Sequence, residues 1–231
     1  MPRTPERAVV SFTFDDFPRS AADNGADVLS TVGAVGTFYA ASAMVGSETV
    51  MGEMFSTDDL QALIKAGHEI GTHTHSHCDC AVQSTATVRK EIKTNLTALE
   101  EMGCHTPAAH FAWPYGETRA AHKQHMDDLA ATARGILPGI NRKGSDLMQL
   151  RSYTLTPDSA STAKAIKAID AAARQGGWVT LFTHDVRRAP SAFGTTPSEL
   201  RKLVKVAQDA GAAILSVSAA HAYIQSGALA P

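Results

Sequence analysis

The chain has 231 residues, 21 Lys+Arg against 23 Asp+Glu for a formal net charge of −2, and 44% hydrophobic residues. That apolar share builds a sizeable core and excludes wholesale disorder. Near-neutral charge without a basic block argues against a nucleic-acid partner, and three cysteines, an odd number with none near the start, exclude a disulfide framework. Residues 8–14 (AVVSFTF) are β-branched and aromatic and stop at Asp15-Asp16, which predicts a strand ending in acids. Residues 21–32 read as a helix closed by Gly33, and residues 36–40 (GTFYA) as a second strand. Ser56 suits the N-cap of a helix through Ala66, with Asp59 at its third position and Gly67 just past its end. Residues 69–73 (EIGTH) form a predicted third strand. Residues 87–102 carry Val88, Ile92, Leu96 and Leu99 at helical spacing, and Gly103 ends them. Residues 110–113 are strand-like before Pro114, 119–131 helical, and 135–140 a weak strand. Then come a helix over 161–174, a strong strand over 178–182 (WVTLF), a helix over 197–210 opened by Pro and closed by Gly211, and a last strand over 213–217.

Repeated β–α units imply parallel strands with crossover helices covering the sheet. No linker-like run divides residues 1–231, so a single domain is expected. Chemistry in such folds gathers at the C-terminal ends of strands. Asp15-Asp16, His73, Pro114-Tyr115 and His184-Asp185 all lie where a predicted strand runs out.

Asp16 and the HTHSH run at residues 73–77 point to a metal. Zinc takes imidazole nitrogen and carboxylate oxygen, and a catalytic site offers three protein ligands with positions left open. His73 and His77, four apart, share a side of a helical turn and equally of an extended strand. His75 separates the cases: a strand adds it to the cluster, and a turn points it away. Cys78 and Cys80 are alternative ligands. A closed thiolate site needs four ligands in separated pairs, however, and Cys104 is the only other cysteine, so free thiols are expected.

TFDD at 13–16, HTHSH at 73–77, WPYG at 113–116 and LFTHD at 181–185 occur in an order that resembles polysaccharide deacetylases of the NodB-homology type, carbohydrate esterase family 4. The resemblance implies an α/β fold, a distorted (β/α) barrel of about seven parallel strands. It also implies metal-dependent removal of N-acetyl or O-acetyl groups from an acetylated oligo- or polysaccharide. By motif, Asp15 would be the general base, Asp16, His73 and His77 the ligands of one divalent metal, and His184 the general acid. The metal expected is zinc, with cobalt, nickel or manganese as alternatives. The Tyr115 backbone N–H would bind the oxyanion, and Leu181 would line the pocket for the acetyl methyl. Trp113, beside the third motif, is a candidate to stack on a sugar ring, whereas Trp178 reads as packing.

The chemistry is coherent without the family. An amide carbonyl is a poor electrophile and neutral water a poor nucleophile; zinc polarises the one and lowers the pKa of the other toward about 7. One group then takes the water's proton while another protonates the departing amine. Adjacent Asp15 and Asp16 can divide the work of base and ligand, and a histidine at another strand end suits proton donation near neutral pH.

Two departures from the family pattern stand out. Many members carry an Arg two residues before the Pro of the third motif, where it orients the catalytic Asp; here Ala112 stands there. The fourth motif, an Asp shortly before a Trp, is not recognisable over residues 142–153, which leaves His184 without an evident partner. Arg151 is the candidate to supply the missing guanidinium. Two competing functions follow: a hydrolase of the same fold acting on a small cyclic amide or ureide, as allantoinase-like relatives do, and a noncatalytic carbohydrate-binding relative. Residues 28–47 and 210–231 lack charged side chains, but glycines and polar residues interrupt both, so no transmembrane segment is expected. The opening MPRTPERAVVSF has no apolar secretory core, which predicts a cytoplasmic location unless a leader has been removed.

Overall fold

A computed structural model describes residues 1–105 and 110–227. The strands are β1 (Val9–Asp15), β2 (Thr37–Ala40), a hairpin of β3 (Glu48–Thr49) and β4 (Gly52–Glu53), β5 (Glu69–Thr72), β6 (His110–Ala112), β7 (Thr132–Arg134), β8 (Tyr153–Thr154), β9 (Trp178–Thr183) and β10 (Ala213–Ile214). Outside the hairpin, the named strands pair in parallel in the order β7-β6-β5-β2-β1-β9-β8, with β10 beside the start of β1. The sheet curls until its edges meet. Leu150 N–H donates to Ala133 O at 2.8 Å and Gly135 N–H donates to Leu150 O at 2.9 Å, joining the end of β7 to the chain entering β8. The result is the expected distorted (β/α) barrel.

Period-two alternation explains why β1 is buried on both faces. Val10, Phe12 and Phe14 point outward into the layer between sheet and helices, where Phe14 stacks on Phe38 at 4.5 Å between ring centroids. Val9, Ser11, Thr13 and Asp15 point into the barrel, where Trp178 donates from Nε1 to Ser11 Oγ at 2.9 Å. Gly71 makes room for the buried Tyr39, because a Cβ there would lie 2.4 Å from the Tyr39 ring.

The helices are α1 (Asp27–Ser30, entered through a π-helical stretch Ala21–Ala26), α2 (Thr57–Lys65), α3 (Thr85–Glu101), α4 (Ala120–Lys123), α5 (Ser159–Gln175), α6 (Pro197–Asp209) and α7 (Val217–Ser226). Ser56 and Asp59 form the capping box that starts α2. The helix predicted over 119–131 survives only as α4. Arg89 of α3 takes the His125 carbonyl and both Asp128 oxygens, and buried His122 is tied to Thr85 Oγ1 and Cys80 O, so the chain leaves the helical ladder. The weak strand predicted over 135–140 lies instead at β7, just before it. The last strand stops at Ile214, because Ser216 accepts from Ala219 N–H and opens α7, which the sequence reading omitted. Among the described residues no helix is long and apolar enough to cross a membrane; residues 228–231 of the uncharged C-terminal stretch lie outside them.

The N-terminal end of the barrel holds a buried histidine with a consequence for stability. Burial pushes His110 down to about 4 from a reference of 6.5. It faces Glu69 on β5 (Nε2 to Oε1 3.9 Å), His221 on α7 (ring centroids 5.6 Å) and Thr132 on β7 (2.8 Å). A folded value below the unfolded one means that acid favours the unfolded chain. The stability is complete above the unfolded value and drains away as pH falls toward the folded one, by about 2 kcal/mol at about pH 5. His221 and His77, also lowered by burial, add the same sign; Glu69, raised by burial, and His73, raised by neighbouring carboxylates, oppose it. The urea midpoint is therefore expected to drop between about pH 7 and pH 5; a constant or rising midpoint would contradict the assignment.

A candidate active site at the mouth of the barrel

Five non-glycine residues of the described chain adopt positive φ: Asp16 (61°), Phe17 (60°), Thr74 (61°), His77 (53°) and Tyr115 (58°). All follow the C-terminal ends of β1, β5 or β6, where left-handed backbone at a cost of ~1 kcal/mol or more per residue marks an over-determined local structure. The inward parity of β1 ends on Asp15, and the sharp turn beyond it brings the next carboxylate, Asp16, to the same mouth. On β5, Glu69, Gly71 and then His73 share a parity. The chain then curls through Thr74, so His77 returns beside His73 with ring centroids 4.9 Å apart. His75 turns away to Ser42 Oγ at 2.7 Å, which identifies the segment as a turn rather than a strand.

Asp16 Oδ1 lies 3.4 Å from His73 Nε2 and 3.2 Å from His77 Nε2. The three ligand atoms all fall within 4.8 Å of one another, the one such group among the described residues. His73 Nδ1 donates to the Ala112 carbonyl at 2.7 Å, which directs its Nε2 toward Asp16. Burial alone would raise the Asp16 pKa, but the imidazoles of His73, His77 and His184 outweigh it and hold the carboxyl well below the usual range. Burial and neighbouring His73 push His77 down to about 4, whereas burial of His73 is overcome by the Asp16 and Asp15 carboxylates and its pKa rises. Asp16 Oδ1 is buried without an aligned donor. A buried anionic oxygen and two converging imidazole nitrogens fit a divalent cation of the zinc type. The thiols stand outside this set: Cys78 is partly exposed, Cys80 and Cys104 are buried, and burial raises the pKa of Cys78 and Cys80. Cys78→Ser is expected to leave bound zinc unchanged by elemental analysis; a fall would make sulfur a ligand.

Asp15 is held differently. Its Oδ2 pairs with the guanidinium of Arg134 at the end of β7, both side chains being buried. Arg134 also donates to Gly135 O at 2.9 Å, and its cation lies 4.6 Å from the Phe182 ring centroid and 5.5 Å from that of Tyr39. This corrects the expectation for Arg151, which points outward and donates to Pro138 O. Ala112 leaves room on β6, and the guanidinium comes from the neighbouring strand, where β6 pairs Ala112 with Arg134. Arg134 leaves no signal of its own in the sequence, where residues 135–140 look more strand-like than 132–134. The only local signal is that of its strand, the Thr132–Arg134 parity before Gly135.

These groups ring a cavity of about 460 Å³ whose lining includes Asp15, Asp16, His73, His77, Tyr115 and His184. His184, beyond β9, places Nε2 3.8 Å from Asp16 Oδ2. Leu181 does not line the cavity: strand parity turns it into the helix-side core, and Phe182 takes the wall position. Trp113 borders the cavity but is only 1% exposed, wedged against Phe111 and donating to Met148 O, so no open face remains for stacking on a sugar. Tyr115, 61% exposed, and Phe193, 52% exposed, form the open apolar rim with Ile136, and the buried Met51 also lines the cavity. None of Phe182, Phe193, Met51 or Ile136 was singled out from the sequence, since apolar residues in a rim look like any others.

A family model described as "Polysaccharide deacetylase" matches residues 2–133, more than half of the chain. A chitin deacetylase of Arthroderma benhamiae is 30% identical over 126 residues, 52% of this chain but only 33% of that protein, so the chain spans about a third of this relative. Among solved structures, a family 4 acetyl xylan esterase from Clostridium thermocellum, solved with a cobalt ion, superposes with a TM-score of 0.65 at 22% identity, covering 95% of this chain and 92% of that one. A CE4-family pseudoenzyme from Bacillus anthracis superposes with a TM-score of 0.64 at 14% identity, covering 94% and 67%. The structural likenesses establish the barrel, and the family-model match supplies the rest: this chain belongs to the polysaccharide deacetylase family.

Proposed function

We propose that the chain is a metal-dependent carbohydrate deacetylase that hydrolyses N-acetyl or O-acetyl groups. The observation that carries the reading is the division of labour at one cavity. One carboxylate sits with two imidazoles, its neighbour is clamped by an arginine, and a third imidazole approaches from another strand end. Asp16, His73 and His77 would hold the cation, which supplies a Lewis acid toward the substrate carbonyl and acidifies water beside it. Asp15, fixed by Arg134, accepts the proton of the attacking water, and His184 donates a proton from Nε2 to the departing nitrogen or oxygen. The Tyr115 N–H, on the turn opened by Pro114, serves the developing oxyanion. Phe182 takes the place next to the acetyl methyl assigned by motif to Leu181.

A pseudoenzyme has a similar fold, so the reading rests on the side chains gathered at the cavity rather than on the barrel. Acetate release from N-acetylated chito-oligosaccharides, abolished by chelation and restored by zinc, is the expected result. Protein that binds these sugars without releasing acetate would instead be a noncatalytic binder. A second reading is favoured by the modest cavity and its apolar rim: hydrolysis of a small cyclic amide or ureide. Turnover of allantoin without acetate formation would select it.

A further inference from the structure

Among the described residues no carboxylate pairs with Nδ1 of His184, the place the family resemblance gives to the fourth motif; Nδ1 lies instead 3.2 Å from the main-chain carbonyl of Phe193. A carbonyl only accepts, so Nδ1 must be the donor, and Nε2 is the nitrogen turned to the cavity. Phe193 belongs to a loop that returns to β9 after nine residues, and the loop is organised around one side chain. Asp185, fully buried, accepts at Oδ2 from Ser191 N–H (2.8 Å) and Arg187 Nε (2.7 Å) and at Oδ1 from Ser191 Oγ (2.6 Å). Ser191 Oγ also accepts from Phe193 N–H at 3.2 Å, Thr195 N–H donates to Asp185 O at 2.9 Å, and Thr183 Oγ1 donates to the Phe193 carbonyl from the end of β9 at 3.4 Å. Gly194 lies so close that a Cβ would sit 2.3 Å from Asp185 Oδ1. A buried carboxylate with three donors is an expensive arrangement for an ordinary surface loop, and its outcome is a carbonyl held against an imidazole.

We propose that Asp185 is the positioning residue for His184, acting through Ser191 and the Phe193 carbonyl in place of the absent carboxylate. The inference rests on the deacetylase reading. In that reaction the water oxygen bonds to the carbonyl carbon as Asp15 takes its proton. The carbon–nitrogen bond breaks with its electron pair staying on nitrogen, and that nitrogen takes the Nε2 proton of a His184 imidazolium whose Nδ1–H stays on the Phe193 carbonyl. A loosened Phe193 carbonyl lets the ring swing, and proton delivery suffers while sugar binding does not.

The test compares leaving groups. An amide needs the proton, whereas 4-nitrophenyl acetate releases a stable phenolate without it. Asp185→Asn is expected to lower kcat on N-acetylated chito-oligosaccharide by ~10–100-fold with KM nearly constant, part of the ~10²–10⁴-fold available to general acid catalysis. Its rate on 4-nitrophenyl acetate should fall far less, with bound zinc unchanged. Ser191→Ala, which keeps the Arg187 pair, should shift the amide-to-ester ratio in the same direction if Asp185→Asn does not fold. In metal-free protein, the hydrogen-bonded Nδ1–H resonance of His184 should broaden in either variant. An unchanged ratio with active wild type, or a preserved Nδ1–H resonance, overturns the role of Asp185. Wild type that releases no acetate overturns the underlying reading instead.

Discussion

Arg134→Met is expected to lower turnover by ~100-fold or more, the scale on which a misplaced reacting group costs an enzyme rate. It should also destabilise the fold by about 3–5 kcal/mol, the usual cost of stranding one partner of a buried ion pair. Both effects have one origin. Asp15 is buried, its Oδ1 has no donor, and Arg134 is the cation paired with it. Without the guanidinium, Asp15 must find another counter-charge or move, and either displaces the proposed base. Arg134→Lys keeps the charge but not the planar fork, so it should recover stability more than rate. The double variant Asp15→Asn, Arg134→Met removes both charges and should be more stable than Arg134→Met alone, while remaining inactive. That coupling is readable by urea unfolding as a double-mutant cycle. Arg151→Ala, on the outer face, should leave turnover within about twofold. Wild-type rates in Arg134→Met would remove the residue from the site.

The legible parts of the fold are those with short-range causes. The β-branched run ending in Asp15-Asp16 became β1, the Ser56–Asp59 box opened α2 where the capping chemistry placed it, and WVTLF became the core of β9. What escaped depends on long-range partners. The chain after Lys123 leaves the helix because an arginine on α3 captures its carbonyl and Asp128, a contact no local window contains. Residues 132–134 have no apolar run of their own and become a strand by pairing with β6. The site divides along the same line. The candidate metal triad was visible because an acid pair and a histidine run stood where predicted strands ended, with His73 and His77 four residues apart. Arg134 and the Phe193 carbonyl were not, since a guanidinium on a neighbouring strand and a main-chain oxygen leave no pattern. The Leu181 expectation failed by one residue, because a strand reverses its face at every step.

Asp16→Ala, His73→Ala and His77→Ala should each abolish bound zinc, whereas Asp15→Asn should retain it and lose ~10²–10⁴-fold in turnover, the range of a general base. The two classes differ in geometry. Asp16 Oδ1 faces both imidazole Nε2 atoms, while Asp15 Oδ2 is committed to Arg134. A thermal-shift titration separates them without any activity assay. A ligand that binds only the folded chain stabilises it by about 2.7 kcal/mol at a hundred times its dissociation constant. Zinc should therefore raise the melting temperature of wild type and of Asp15→Asn alike, and leave the three ligand variants unmoved. A zinc-dependent shift that survives in Asp16→Ala would place the cation elsewhere and remove the division of labour proposed for the two carboxylates.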